Sequence, residues 1–355
     1  MTGSIAPRHV EAIDRYRPGT SIPGFTNGKL SSNEAPLGPS PGAIRAIARS
    51  APAAGRYRVA DSLRRRLASE EGVDEEQAVV TNGSDELCYL VAALFIRPGA
   101  PVVLADPPYQ INEIASRLQD GALRFVPLRD GAHDLEAMTR AATGASVLWL
   151  PNPHNPTGTV VSHAALRELM RVVPDDCVVV LDEAYRPYAD PGLLPDVGEL
   201  LALHQNLLIQ RTLSKAHALA GLRVGFALGG AELIAAIERV RPPFNVNSAA
   251  IAAAEQALDD VAWSRYAVAA TRRERDRFAA FLSELGVAFF PSQANFITVR
   301  PSEPALVRDR LAACGISVRD GGELGLEGWL RVSIGSPPAM ALVRAVLRDA
   351  EGPGA

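Results

Sequence analysis

Seven short apolar runs constrain this chain more than any other feature of it. They are Ala78–Val80, Val102–Ala105, Arg124–Leu128, Val147–Leu150, Val178–Leu181, Leu207–Gln210 and Val224–Leu228. They are rich in Val and Leu and do not alternate with polar residues. Strands covered on both faces read this way, which points to a largely parallel sheet. Segments with helical spacing lie between them, for example Ser84–Phe95 and His163–Val172. Strand and helix in turn predict an α/β, doubly wound architecture.

After Val246 the character changes. A helical stretch from Ser248 to Leu285 carries Arg272, Arg273, Glu274 and Arg275 on what should be a solvated face. Strand-like pieces follow at Ala294–Val299, Ile316–Arg319 and Trp329–Ile334, which predicts a smaller α+β domain. The segment up to Ser32 is expected to be irregular and to lie against it. The expected division is a large α/β domain over 33–245, with 1–32 and 246–355 forming the small one. The tail Glu351–Ala355 is expected to fray.

With 355 residues, 47% hydrophobic and 21% charged, the chain can bury one large core or two unequal ones. Its 36 basic and 40 acidic residues leave a net charge of −4, with no basic excess for nucleic acid. No run of 18 apolar residues predicts a membrane helix. The N-terminus lacks the basic-then-apolar layout of a secretion signal, so a cytoplasmic location is expected. Cys88, Cys177 and Cys314 sit in apolar contexts and are expected to be buried, reduced thiols. No Cys/His spacing suits zinc, and no metal is expected.

Five polar segments each follow one of the predicted strands. Arg211–Arg223 follows Leu207–Gln210 and holds Lys215 at the mouth of the sheet. A lysine of lowered pKa there can form an imine with an aldehyde. Thr212, Ser214 and Arg223 around it suit a phosphate dianion. Asp182, in Leu-Asp-Glu-Ala-Tyr, ends the run Val178–Leu181. Ligands of open α/β sheets bind at that end, and a carboxylate there can pair with a protonated pyridine nitrogen. Tyr185 and Asn155, the latter in the turn Pro151–Gly158, can hydrogen-bond the 3'-oxygen of such a ring. Gly83 and Ser84, in Asn-Gly-Ser-Asp-Glu, open a helix whose free N–H groups suit an anion. Tyr109, in Asp-Pro-Pro-Tyr, can stack on a flat ring. Each segment also has a bland reading: an exposed loop lysine, an N-capping Asp182, ordinary turns and helix starts, a core tyrosine. Together, on one rim, they supply every part of a site for pyridoxal 5'-phosphate (PLP).

From about Leu30 to Gly335 the sequence resembles the class I/II aminotransferases, most closely the histidinol-phosphate aminotransferases. The matching motifs are Ser32-Asn-Glu34, Asn82-Gly-Ser-Asp-Glu86, Pro107-Pro-Tyr109, Asn155-Pro-Thr-Gly158, Asp182-Glu-Ala-Tyr185, Ser214-Lys-Ala216, Leu219-Ala-Gly-Leu-Arg223, Asn295-Phe296 and Leu330-Arg331. The resemblance implies the aspartate-aminotransferase-like fold, type I of the PLP-dependent transferases, with PLP as cofactor. It also implies that Lys215, Asp182 and the stacked Tyr109 form the catalytic set. Gly83, Ser84, Thr212, Ser214 and Arg223 would hold the cofactor phosphate, and Asn155 and Tyr185 its 3'-oxygen. The family is dimeric, and Tyr57 matches a tyrosine that reaches the neighbouring subunit's cofactor phosphate. Arg331 matches the arginine that grips the substrate's anionic end. Arg319 and Tyr16 match groups that bind a substrate phosphate.

The sequence departs from the family at Ala35, Arg58, Asn112, His154, His217 and Ala218, positions expected near the pocket. The two histidines are either added acid–base groups or packing residues. Transamination between histidinol phosphate and 2-oxoglutarate is the expected reaction. The alternative is a decarboxylation, elimination or oxidation on the same cofactor. A dinucleotide-dependent dehydrogenase is disfavoured because no G-x-G-x-x-G follows the first strand. A PLP-sensing regulator is disfavoured because the aminotransferase pattern begins by about Ser31, leaving no room for a DNA-binding domain.

Overall fold

The computed structural model describes residues 5–23 and 28–352. All seven expected strands are present: β2 (Ala78–Thr81), β3 (Pro101–Asp106), β4 (Ala122–Pro127), β5 (Val147–Pro151), β6 (Val178–Asp182), β7 (Leu207–Thr212) and β8 (Gly225–Gly229). They form one sheet in the order β2-β8-β7-β6-β5-β3-β4. The pairs from β7 to β4 are parallel, while β8 runs antiparallel to both its neighbours. Side chains alternate between two buried layers. Leu148, Leu150, Val179, Leu181 and Ile209 belong to one, and Val147, Trp149, Val178, Val180 and Leu208 to the other. Coverage on both faces is why the runs show no polar alternation.

Strand direction explains where the motifs meet. β2, β3, β5, β6 and β7 all point the same way, so their carboxyl ends share one rim. β8 runs back, so its amino end, which follows Arg223, reaches the same rim.

The second sheet has the order β1-β11-β12-β10-β9, from β1 (Lys29–Leu30), β9 (Ala288–Phe289), β10 (Phe296–Arg300), β11 (Ser317–Asp320) and β12 (Leu330–Ser333). Phe278, Ile297, Val318, Val332 and Met340 are among the side chains of its core. The N-terminal segment is thus not wholly irregular: it contributes β1, parallel to β11, and a short helix at Arg8–Glu11.

Four expectations change. The stretch from Ser248 is two helices, Ser248–Asp259 and Val261–Leu285, broken at Asp260. Asp260 leaves the helical conformation, at ψ +50, and accepts from the hydroxyl of Ser40. The first of these helices packs its Ala250, Ile251, Ala254 and Leu258 into the core of the larger sheet. The change of core therefore lies later than residue 246. Glu274 and Arg275 are buried, not solvated. Arg275 donates to Tyr188 O at 2.9 Å, and Glu274 accepts from Arg344 at 2.5 Å, so each charge has a partner. Cys88 and Cys177 are buried, whereas Cys314 is exposed at a helix end. Of the tail, Glu351 closes the last helix, and residues 353–355 lie outside the described residues. Among the described residues no helix is long and apolar enough to cross a membrane.

Candidate active site

A cavity of about 350 Å³ opens where the rim meets the smaller sheet. Tyr16, Ser84, Tyr109, Asn155, Asp182, Tyr185, Thr212, Ser214, Lys215, Arg223, Arg319 and Arg331 all line it. Gly83 does not line it, but abuts Arg223, which does. Tyr57 is not in this cavity: it stands 84% exposed and stacks on Phe244 at 4.5 Å.

Lys215 is half-buried and donates from Nζ to Ser32 O at 3.3 Å. Burial, helped by the Arg331 charge, pulls its pKa down to about 8. Asp182 is buried at the end of β6. Its Oδ1 accepts from Ala184 N at 2.9 Å and its Oδ2 from Gln210 Nε2 at 3.0 Å. Those donors favour the carboxylate, but burial outweighs them and pushes the pKa up to about 7.

One corner of the cavity brings together a helix start, a guanidinium and two hydroxyls. Gly83 opens the helix Gly83–Phe95 at φ +76, a left-handed conformation that glycine adopts without strain. A Cβ there would lie 2.5 Å from Arg223 Nη2, and one at Gly225 would lie 2.6 Å from Gly83 C and Ser84 N. The two glycines let β8, the guanidinium and the helix start come together. Arg223 Nη2 and the Tyr109 hydroxyl each donate to the Asp85 carboxylate at 3.0 Å. Thr212 and Ser214 complete the corner, with Ser214 N donating to Thr212 Oγ1 at 3.1 Å.

The opposite wall is cationic. Arg319 on β11 and Arg331 on β12 are direct cross-strand partners, and both are buried. Arg319 pairs with Glu323 at 3.2 Å. Arg331 has only neutral partners: it donates to Asn155 Oδ1 at 2.7 Å and Ser31 O at 2.9 Å, while its Nε has no acceptor. Burial and the Arg319 charge both lower its pKa. Asn155 Nδ2 lies 3.5 Å from the Tyr185 hydroxyl, which also accepts from Asn33 Nδ2 at 2.9 Å. The Tyr185 hydroxyl is pushed up to about 12, mainly by burial, and stays protonated.

None of the six departures lines the cavity. His154 is packed beneath the rim, with Nδ1 2.9 Å from Thr157 Oγ1 and Nε2 3.2 Å from Pro107 O. His217 faces a separate small cavity beside Arg211. Neither ring lines the cavity, which makes both packing residues, and burial lowers the pKa of each. Arg58 pairs with Glu255 at 2.6 Å, and Asn112 is buried behind the site. Three residues that touch the site's working groups escaped sequence reasoning. Gln210 reads as the end of an apolar run, Gly225 as a strand residue, and Asp85 as a helix-start acid.

Residues 28–346 match the family model described as aminotransferase class I and II. The histidinol-phosphate aminotransferase 1 of Dechloromonas aromatica is 37% identical over 352 residues, 96% of this chain and 97% of that protein. The histidinol-phosphate aminotransferase 2 of Pseudomonas aeruginosa is 41% identical over 87% of this chain and 85% of its own length. Among solved structures, the histidinol-phosphate aminotransferase of Sinorhizobium meliloti in complex with pyridoxal-5'-phosphate superposes with a TM-score of 0.90. It is 27% identical and covers 99% of this chain and 98% of its own.

Proposed function

The chain belongs to the class I and II aminotransferases, and we propose that it holds PLP on Lys215 and transfers the amino group of histidinol phosphate to 2-oxoglutarate. The residues fit the cofactor on three counts. Asp182 is a buried carboxylate near neutrality, which a ring N–H⁺ would pair. The Gly83–Gly225 approach leaves a cradle that side chains would fill. Arg223, Thr212, Ser214 and the helix start at Ser84 supply the donor set a phosphate needs.

When bound, PLP supplies an aldehyde that condenses with amines and a pyridinium ring that accepts the electron pair left at Cα. The protein supplies the rest. Lys215 Nζ, with its lowered pKa, is the base that takes the proton from the substrate's Cα and later returns one. Asp182 keeps the ring nitrogen protonated. Tyr185 and Asn155 hold the 3'-oxygen, and Tyr109 covers the ring. Arg319, Arg331 and Tyr16 bind the anionic end of the substrate. The active form we propose is a homodimer, in which the exposed Tyr57 completes the phosphate corner of the neighbouring subunit.

The observation that carries the substrate assignment is the pair of buried guanidiniums facing Lys215 across one cavity. Glu323 answers Arg319, which leaves Arg331 for a bound anion to balance, and histidinol phosphate and 2-oxoglutarate each bring one. The decarboxylation, elimination or oxidation reading rested on altered pocket residues, and none of these lines the cavity. The test is a spectral titration of PLP-loaded protein. Histidinol phosphate should bleach the visible band and leave stoichiometric pyridoxamine phosphate, and 2-oxoglutarate should restore the band. A band that ignores histidinol phosphate but responds to another amine would refute the substrate.

The lysine's environment gives a separate expectation for PLP capture. Only a neutral amine attacks an aldehyde. A pKa of about 8 in place of 10.5 leaves roughly 300-fold more neutral amine at pH 7. The rate of PLP attachment to the PLP-free protein should climb with pH up to about 8 and then level. Stopped-flow absorbance measures this. A rate still climbing tenfold per unit at pH 10 would show an ordinary lysine.

A further inference from the structure

Asp182 is backed by a polar group in a place where the strand needs none. Gln210 follows Leu207, Leu208 and Ile209 on β7 and is 0% exposed. A buried amide is unfavourable unless its hydrogen bonds are made. Its Nε2 donates to Asp182 Oδ2 at 3.0 Å. An ionised carboxylate only accepts, so this contact orients the amide and turns Oε1 the other way. There Oε1 meets Cys88 Sγ at 3.5 Å, and the same sulfur lies 3.3 Å from Asn112 Oδ1. Burial raises the Cys88 thiol well above its usual range, so it keeps its one proton, which these two oxygens share with Ser84 O at 3.6 Å. A polar chain thus runs from helix Gln110–Leu118 through helix Gly83–Phe95 to the carboxylate, inside an otherwise apolar layer.

We propose that Gln210 is a positioning residue that holds the Asp182 carboxylate aimed at the cofactor's ring nitrogen, and that the Cys88 thiol orients Gln210 in turn. This rests on the cofactor reading above. Ala184 N anchors one carboxylate oxygen and Gln210 the other. The plane of the carboxylate is then set before any ligand arrives. Asp85 and Glu183 are the other carboxylates acting on Asp182, and both oppose its ionisation. Gln210 works against them. Without its N–H the carboxylate becomes more basic and draws the shared proton off the ring. With PLP bound, the less cationic ring would leave the nitrogen of Lys215 more basic.

The experiment compares PLP-loaded wild type, Gln210→Met, Gln210→Glu and Asp182→Asn. The readouts are the pH midpoint of the visible band, the cofactor dissociation constant and the melting temperature of the PLP-free form. Gln210→Met should move the midpoint upward, in the same direction as Asp182→Asn but less far. It should also weaken PLP binding about tenfold, as loss of a charge-assisted hydrogen bond does. Gln210→Glu keeps the shape and decides the matter if the methionine variant does not fold. A second carboxylate against Asp182 forces the pair to share a proton, so PLP should bind at least as weakly. If Asp182→Asn moves the midpoint and neither Gln210 variant does, the positioning role is overturned while the cofactor reading stands. If Asp182→Asn leaves both midpoint and affinity unchanged, the cofactor reading falls and this inference with it.

Discussion

Lys215→Ala is expected to lower turnover of histidinol phosphate by about ten-thousandfold, the upper end of what one positioned acid–base group contributes. Nζ has two duties in the proposed reaction. It is the attachment point for PLP, and it is the base at Cα. Among the described residues the other amine lining the cavity is Lys29, on β1 of the smaller sheet, and it is tied to Glu34 at 2.7 Å. Arg223 and Arg331 are too basic to take a proton. The loss should leave the fold intact, because among the described residues Nζ makes one hydrogen bond, to Ser32 O. The sign of the stability change follows from the pKa. Its folded value of about 8 lies below the ordinary 10.5, so the charged form is disfavoured by folding. At pH 7 the amine is mostly charged, so the lysine works against folding there, and this effect fades as pH rises through 8 towards 10.5. The PLP-free variant should therefore melt no lower than wild type at pH 7. Single-turnover product assays and thermal melts together decide it. A rate loss under a hundredfold, or one that tracks unfolding, would mean that Lys215 is not the base.

The legibility of this site in the sequence followed the sheet. Lys215, Asp182, Tyr109 and Asn155 could be placed because each follows an apolar run, and parallel strands bring their carboxyl ends to one rim. Arg223 was legible only as a neighbour of Lys215 in sequence. Its true reason for being there is that β8 runs backwards, which no local pattern announces. Gln210 was invisible for the same kind of cause. It meets Asp182 through the lateral register of β6 on β7, where Asp182 and Gln210 are paired, and register is not written in either strand alone. Glu274 and Arg275 were misjudged because a charge on a helix reads as solvated until its partner, Arg344 or the carbonyl of Tyr188, is known. The departures from the family were expected at the pocket because their motifs are. Yet a motif has two sides: His154 lies next to Asn155 in sequence and points into packing beneath it.

Removing Arg331 should show what the cationic wall is for. Among the described residues no carboxylate forms a salt bridge to it, although it is buried and carries a second guanidinium opposite it in the sheet. An anion bound there is a buried charge pair. Deleting one partner of such a pair costs about 3–5 kcal/mol, or roughly a hundredfold to several-thousandfold in affinity. Arg331→Ala should therefore reduce kcat/KM by that factor for histidinol phosphate and for 2-oxoglutarate alike. Arg319→Ala should cost less, since Glu323 already takes part of its charge. Because Arg331 also donates to Asn155 Oδ1, part of the effect could travel through the cofactor. The PLP dissociation constant separates the two routes and should change little. The sharpest comparison is histidinol phosphate against histidinol. Wild type should prefer the phosphate ester strongly, and that preference should collapse in Arg331→Ala, because the phosphate then meets only Arg319 and Tyr16. Equal use of both amines by wild type would mean that the wall serves a different anion, and the substrate assignment would fall while the fold, the lysine and the cofactor stood.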